Sequence, residues 1–203
     1  RFKNITLKKA LKHPNWSMGK KISIDSATMM NKVFEIIEAK KIFNLNYNQI
    51  EIIIHPQSYL HAIVKFNNGL TKLLIHDTDM SIPIFNSIYP NFEKKISSNK
   101  LNFKILNNLD IDSIDRKRFP AVNVLKLLTN KDTLFETVIV TANDCLVKLF
   151  LQQKIKFTDI SSMLLKITKL REFAKFKSIT PKNVNQITRL SDYVSLKINT
   201  MSI

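Results

Sequence analysis

Between positions 26 and 35 the chain carries two hydroxyls, an amide, an ammonium and a carboxylate: Ser26, Thr28, Asn31, Lys32 and Glu35. On a helix, side chains three or four residues apart are neighbours, so Asn31, Lys32 and Glu35 would share one face. Such a grouping suits a phosphorylated substrate. A hydroxyl and an amide donate to phosphate oxygens, a helix N-terminus favours an anion, and Lys32 supplies positive charge. Glu35, one turn further in, can ligate a hard divalent cation such as magnesium or manganese. The same spacing also marks the solvated side of an ordinary amphipathic helix, and spacing alone does not choose between the two.

A helix must carry that face. Ser26, or Asp25 just before it, can cap one that runs to about Phe43. Met29, Met30, Val33, Phe34, Ile36 and Ile37 would form its apolar side, and Thr28, Asn31, Lys32, Glu35 and Glu38 its polar stripe. Upstream, the pattern around Pro14 predicts a short helix and then an ordered loop that holds Trp16 and Met18. Downstream come three β-like runs at 50–55, 62–66 and 70–75, the last two joined through Asn67-Asn68-Gly69 as a hairpin turn. Residues 81–89 suit a short helix with Pro83 in its first turn.

Residues 90–118 show little periodicity and are expected to form a linker. From Pro120 onward no strand is convincing, and helical spacing recurs in Val122, Leu125 and Leu128 and in Val147, Phe150 and Leu151. Thr158 or Asp159 can start a further helix, and Pro181 suits the first turn of a last one. The expected fold class is α+β. A small, mostly antiparallel sheet with helices occupies residues 1–89, a linker follows at 90–118, and an all-helical subdomain ends the chain at 119–203.

Composition narrows the function classes. The 203 residues carry a formal charge of +16, which raises nucleic-acid binding as a reading. The lysines, however, are spread singly or in pairs, with no Arg-rich tract, no zinc finger and no aromatic pattern of an RNA-binding sheet, so a basic nucleic-acid-binding module is the weaker alternative. No apolar run reaches the roughly 20 residues of a membrane helix, and a soluble, cytoplasmic protein without membrane contact is expected. The single Cys145 is expected to be a buried small residue. Gly occurs only twice, at Gly19 and Gly69, and both are expected where backbone freedom is needed. The chain opens on Arg1 close to its richest motif, which suggests that it begins inside a longer protein.

The run His13-Pro14-Asn15-Trp16-Ser17-Met18-Gly19, followed by Ser26-Ala27-Thr28-Met29-Met30-Asn31-Lys32 and Glu35, resembles the catalytic and C-terminal part of the 1-deoxy-D-xylulose 5-phosphate (DXP) reductoisomerases. The resemblance is dense from about Leu11 to Met80, thin through the expected linker, and returns at Asn143 and at Phe157-Thr158-Asp159-Ile160. Ile54-His55-Pro56-Gln57-Ser58 with His61, and Asp79-Met80 with Ile82-Pro83-Ile84, look like two further loops of that family.

The resemblance implies NADPH-dependent rearrangement and reduction of DXP to 2-C-methyl-D-erythritol 4-phosphate, early in non-mevalonate isoprenoid synthesis, with a divalent cation (manganese or magnesium) holding the reacting oxygens. It implies that Glu35 is one metal ligand, that His13, Ser26 and Asn31 contact the phosphate end, and that Lys32 meets substrate oxygens. Trp16 and Met18 would belong to a flap that excludes water over the substrate, hinged by Gly19. Gly19 and Met80 would face NADPH, and His61 is a weaker site-lining candidate. A homodimer is implied too.

Departures from the family pattern are specific: Val33 stands for the usual Gly, Thr78 for a Pro, and Val140-Thr141-Ala142-Asn143-Asp144 for Asn-Ala-Ala-Asn-Glu. The dinucleotide-binding part, the Asp-Ser-Glu segment with the other metal ligands and the Ser-Gly-Gly loop do not occur in the chain, so this stretch is expected to be inactive alone. An eroded, inactive relative of the same fold is the alternative reading.

Overall fold

Apolar side chains recur every three or four positions along residues 135–151, and around them the helical part of the molecule is built. In the computed structural model, which describes residues 5–12, 18–91 and 94–201, the helices are α1 (Leu7–Ala10), α2 (Lys20–Thr28), α3 (Met30–Phe43), α4 (Ser81–Ile88), α5 (Phe103–Leu106), α6 (Phe135–Leu151), α7 (Phe157–Ile167), α8 (Arg171–Ala174) and α9 (Val184–Thr200). The strands are β1 (Ile53–Ile54), β2 (Leu60–Lys65), β3 (Thr71–Ile75) and β4 (Asp112–Ser113). The fold is α+β.

The chain divides into two units, one formed by residues 1–52 with 115–203 and the other by residues 53–114. That division differs from the expected order of 1–89, 90–118 and 119–203: the helices before residue 52 are grouped with the C-terminal ones. The reason is apolar burial. In the helical unit α6 packs against α2, α7 and α9, and Ile24, Met30, Val33, Val138, Ile139, Leu146, Ile160, Leu164 and Phe173 lose all or nearly all contact with solvent.

α9 faces α6 with Leu190, Val194 and Ile198, spaced by four, and Thr141 donates to Ser191 across that seam at 3.0 Å. Cys145, expected in the core, is half-buried there, 3.6 Å from the Ser195 hydroxyl, and is a free thiol. Pro181 does not open α9. It stands two residues before Asn183, whose side chain caps the helix by accepting from the Gln186 N–H at 3.0 Å. Residues 120–127 form a 3-10 stretch with Pro120 at its start, where a missing N–H costs nothing.

In the other unit the sheet is two separate antiparallel ladders. β1 pairs with β4 (Ile53 with Ser113, Ile54 with Asp112), and β2 pairs with β3 (Leu60 with Ile75, Lys65 with Thr71). The hairpin turn lies where the sequence predicts it: Gly69 adopts φ 87, Phe66 N–H donates to the Leu70 carbonyl at 2.8 Å, and the Asn68 side chain accepts from Leu70 N–H at 3.1 Å. The run expected over 50–55 shrinks to two paired residues because residues 47–49 take a 3-10 turn and Pro56 follows.

The stretch expected as a linker is tied back instead. Asn99 N–H donates to Asp77 at 2.9 Å, Asn102 N–H donates to the Tyr59 hydroxyl at 3.3 Å, and a His55 ring nitrogen meets the Asp110 carbonyl at 2.9 Å. Pro83 does sit in the first turn of α4, as its spacing predicts.

Candidate active site

The polar group at 26–35 is carried by two helices rather than one. α2 begins six residues before Ser26 and stops at Thr28; Met29 then takes a left-handed conformation (φ 65, ψ 17) and α3 starts at Met30. The stop is made locally. Thr28 folds its hydroxyl back onto the Ile24 carbonyl at 3.1 Å and the Asp25 carbonyl at 3.2 Å, while Met29 N–H reaches the Ser26 carbonyl at 3.1 Å. A non-glycine residue in this region is strained, and the buried neighbours Thr28 and Met30 hold it there.

This elbow corrects the sequence reading in two ways. Ser26 lies in the last turn of α2, not at a helix start, so the helix terminus that favours an anion is that of α3, beside Asn31 and Lys32. Thr28 leaves the polar stripe altogether: it is buried and its hydroxyl is used within α2.

Asn31, Lys32 and Glu35 keep their common face on α3. Lys32 Nζ lies 2.8 and 2.7 Å from the two Glu35 carboxylate oxygens, a forked ion pair at a half-exposed surface. The Asn31 Oδ1 is buried and has no hydrogen-bond partner, an acceptor left over beside a charged pair. Among the described residues no group of three or more His, Cys, Asp and Glu comes together, so Glu35 fits a cation as one ligand and the described residues do not complete a magnesium site.

The remaining candidates are spread. Gly19 is the N-cap of α2 at φ −60, a conformation open to any residue, and a Cβ there would meet nothing within 4 Å; its value is open space, not left-handed freedom. Met18 is half-buried. His13 and Trp16 lie outside the described residues. Met80 precedes α4 and is 53% exposed, on a turn where Asp79 accepts from the Ser81 N–H at 2.9 Å. That backbone bond, and the Ser81 hydroxyl after it, holds the Asp79 carboxyl below its usual range. His61 occupies the bulge between Leu60 and Ala62, with its ring stacked 3.5 Å from that of His76 and a ring nitrogen 3.2 Å from the His76 carbonyl.

The residues behind Ser26 were not among the expected site residues, and Asp25, expected as a helix cap, lies inside α2. Asp25, 2% exposed, accepts from the Asn143 amide of α6 at 2.8 Å and from Lys21 Nζ at 2.9 Å. Lys21 also pairs with Asp144 at 2.9 Å. Burial works against the Lys21 charge, but hydrogen bonds to Asp25 and then Asp144 outweigh it and hold the ammonium above its usual value. The available signal was the recurrence of family resemblance at Asn143, far along the chain from the motif.

Residues 1–43 match the profile of the 1-deoxy-D-xylulose 5-phosphate reductoisomerase C-terminal domain, and residues 75–195 match that of the DXP reductoisomerase C-terminal domain. The chain belongs to the DXP reductoisomerase family. It is 68% identical over 203 residues to the 1-deoxy-D-xylulose 5-phosphate reductoisomerase of Pelagibacter ubique, covering 100% of this chain and 52% of that protein. The reductoisomerase of a Sulfurihydrogenibium species is 39% identical over 178 residues, covering 88% of this chain and 48% of the relative.

A crystal structure of DOX-P reductoisomerase in complex with NADPH, fosmidomycin and magnesium superimposes with a TM-score of 0.86 at 31% identity, over 98% of this chain and 50% of the other. The Zymomonas mobilis reductoisomerase in complex with NADPH gives 0.80 at 29%, over 98% of this chain and 50% of that one. The chain thus spans about half the length of the DXP reductoisomerases it matches. The departures from the family pattern are accommodated: Val33 is fully buried in the core, while Thr78 and Val140 are exposed.

Proposed function

We propose that the protein to which this chain belongs converts DXP to 2-C-methyl-D-erythritol 4-phosphate by NADPH-dependent rearrangement and reduction, and that this chain is its substrate-binding half. The observation that carries the reading is the elbow at Met29, which lies within the family-matched residues 1–43 and holds Ser26 on one helix and Asn31, Lys32 and Glu35 on the next. The solved relatives with NADPH, magnesium and fosmidomycin support the cofactor assignment.

In this reading Ser26, Asn31 and His13 donate to the phosphate, helped by the N-terminal dipole of α3. Glu35 gives one oxygen ligand to a manganese or magnesium ion whose other ligands lie outside the described residues; when bound, such an ion polarises the reacting carbonyl and hydroxyl oxygens. As Glu35 turns from Lys32 toward that role, the Lys32 ammonium becomes free to donate to substrate oxygens. Trp16 and Met18 close over the substrate and exclude water, which strengthens each of these charge interactions. Gly19, with open space where a Cβ would stand, is a contact for NADPH, and exposed Met80, on the other unit, is assigned to the nicotinamide by the family resemblance.

The protein works as a cytoplasmic homodimer on a phosphorylated small molecule, without nucleic-acid or membrane partners. Exposed apolar side chains on the β2–β3 hairpin, among them Ile63, Leu73 and Leu74, support a second copy as the cover of that surface. The experiment is DXP-dependent NADPH oxidation by the intact protein with manganese, comparing the natural sequence with Glu35→Gln. The expected loss is on the order of a hundredfold or more, since even outer-shell partners of a bound metal are worth 10–100-fold. A folded natural protein without turnover would identify an inactive relative instead.

A further inference from the structure

Buried carboxylates are rarely left in helical cores, because taking the charge out of water costs several kcal/mol unless it is paired and fully hydrogen-bonded. Asp25 is such a group, and its surroundings are built from three helices. Its own helix α2 supplies Lys21 Nζ at 2.9 Å, and α6 supplies the Asn143 amide at 2.8 Å. Lys21 reaches on to Asp144 of α6 at 2.9 Å and sits 5.3 Å from the ring centre of Phe34 on α3. Asn143 is 0% exposed, and its Oδ1 has no partner, so the pair is kept even though one acceptor goes unmet. An apolar pair would seal the same seam at less cost.

The place of this cluster gives it a purpose. Asp25 is followed directly by Ser26. Its carbonyl receives the Thr28 hydroxyl that ends α2, and Lys21 touches the residue next to Glu35. We infer that Asp25, clamped by Asn143 and Lys21, is a positioning residue that fixes Ser26 and the Met29 elbow in the geometry that receives the phosphate of the substrate. The inference rests on the substrate-binding reading above. A rigid elbow is needed there because the donors lie on two helices, and a shift of about 1 Å between them can cost up to a hundredfold in rate.

The test uses the intact protein and four variants: Asp25→Asn, Asn143→Asp, the double exchange of both, and Lys21→Met. The double exchange keeps the net charge and lets an amide at 25 donate to a carboxylate at 143, still beside Lys21. The readouts are the affinity for inorganic phosphate by calorimetry and the separate KM values for DXP and NADPH, with kcat per folded molecule.

Each single change at 25 or 143 is expected to weaken phosphate binding and raise KM for DXP about tenfold, with KM for NADPH unchanged, and the exchange to recover to within about threefold of the natural protein. Lys21→Met, which leaves the Asn143 bond to Asp25 in place and changes a side chain that is itself half-exposed, is expected to weaken phosphate about threefold. Unchanged phosphate affinity in the folded variants, equal rises in both KM values, or no recovery in the double exchange would overturn the inference. If a single variant at 25 or 143 does not fold, unchanged phosphate affinity in Lys21→Met overturns it equally. A natural protein that binds phosphate but does not turn over would sink the proposed function and leave this ladder of phosphate affinities as the deciding measurement.

Discussion

The two units of the chain treat apolar residues in opposite ways. In the helical unit Phe135, Phe173, Leu146, Ile160 and Leu164 are sealed from solvent. Among the described residues of 53–114 the buried hydrophobics are Tyr59 and Leu60, while Ile63, Val64, Leu73, Leu74, Ile84, Ile88 and Phe103 stand at least two-fifths exposed. Leu73 and Leu74 are consecutive on β3 and so point to opposite faces, which leaves both faces of the hairpin uncovered. A two-stranded hairpin is marginal by itself, so the second unit depends on whatever covers it and the first does not.

The sharpest way to break that contrast is a large-to-small change at the centre of the helical unit. Phe173→Ala is expected to cost about 3–5 kcal/mol in denaturant unfolding, because the ring is fully buried and its removal leaves a cavity. A loss below about 1 kcal/mol would mean that the helical unit is as soft as the hairpin. Leu74→Asp should do the reverse, with little change in the unfolding midpoint of the helical unit but a fall in sedimentation mass from dimer to monomer. An unaltered mass would remove the hairpin from the proposed dimer contact.

Gly69→Ala forces a Cβ into φ 87 and should weaken the hairpin by about 1–2 kcal/mol, seen as faster amide exchange over β2 and β3 and not over α6. The smallest effect belongs to Asp132, whose carboxyl is held below its usual range by hydrogen bonds from Lys40 and then Lys41. With the folded value depressed, this contribution is full above the unfolded value near 4 and disappears as pH falls through the lower folded value. Asp132→Asn should therefore flatten part of the acid limb of stability, by at most about 1 kcal/mol since the carboxylate is largely exposed, when unfolding is compared at about pH 6 and about pH 3.

What could be read from the residues alone was mostly what local chemistry dictates. Asn67-Asn68-Gly69 announced the hairpin because Gly69 was needed at positive φ, and Pro83 announced α4 because proline suits a first turn. The break at Met29 was hidden, since Ser26-Ala27-Thr28-Met29-Met30 contains neither glycine nor proline and its spacing continues into α3. It is made by the Thr28 back-bond, a local bond that threonines also form inside continuous helices, and by burial on either side, which is a tertiary fact. The stretch 90–118 concealed its order in the same way, through single bonds from Asn99 and Asn102 to distant partners.

The site face was legible as a spacing but not as a function. Asn31, Lys32 and Glu35 are what any solvated helix offers, and only the longer resemblance gave them roles. Asp25 and Asn143, the pair behind Ser26, share no local pattern, because their contact depends on how α2 and α6 pack.

The bond between those two residues also sets a timetable. Asp25 and its partner Asn143 are 118 positions apart, with the whole hairpin unit emerging between them. At the usual 5–20 residues per second of synthesis, Asp25 waits on the order of ten seconds with only Lys21 of its own helix as a partner before α6 exists to receive it. The elbow that carries the proposed phosphate contacts therefore cannot be locked until α6 has emerged, and closing so long a loop makes that contact slow to form.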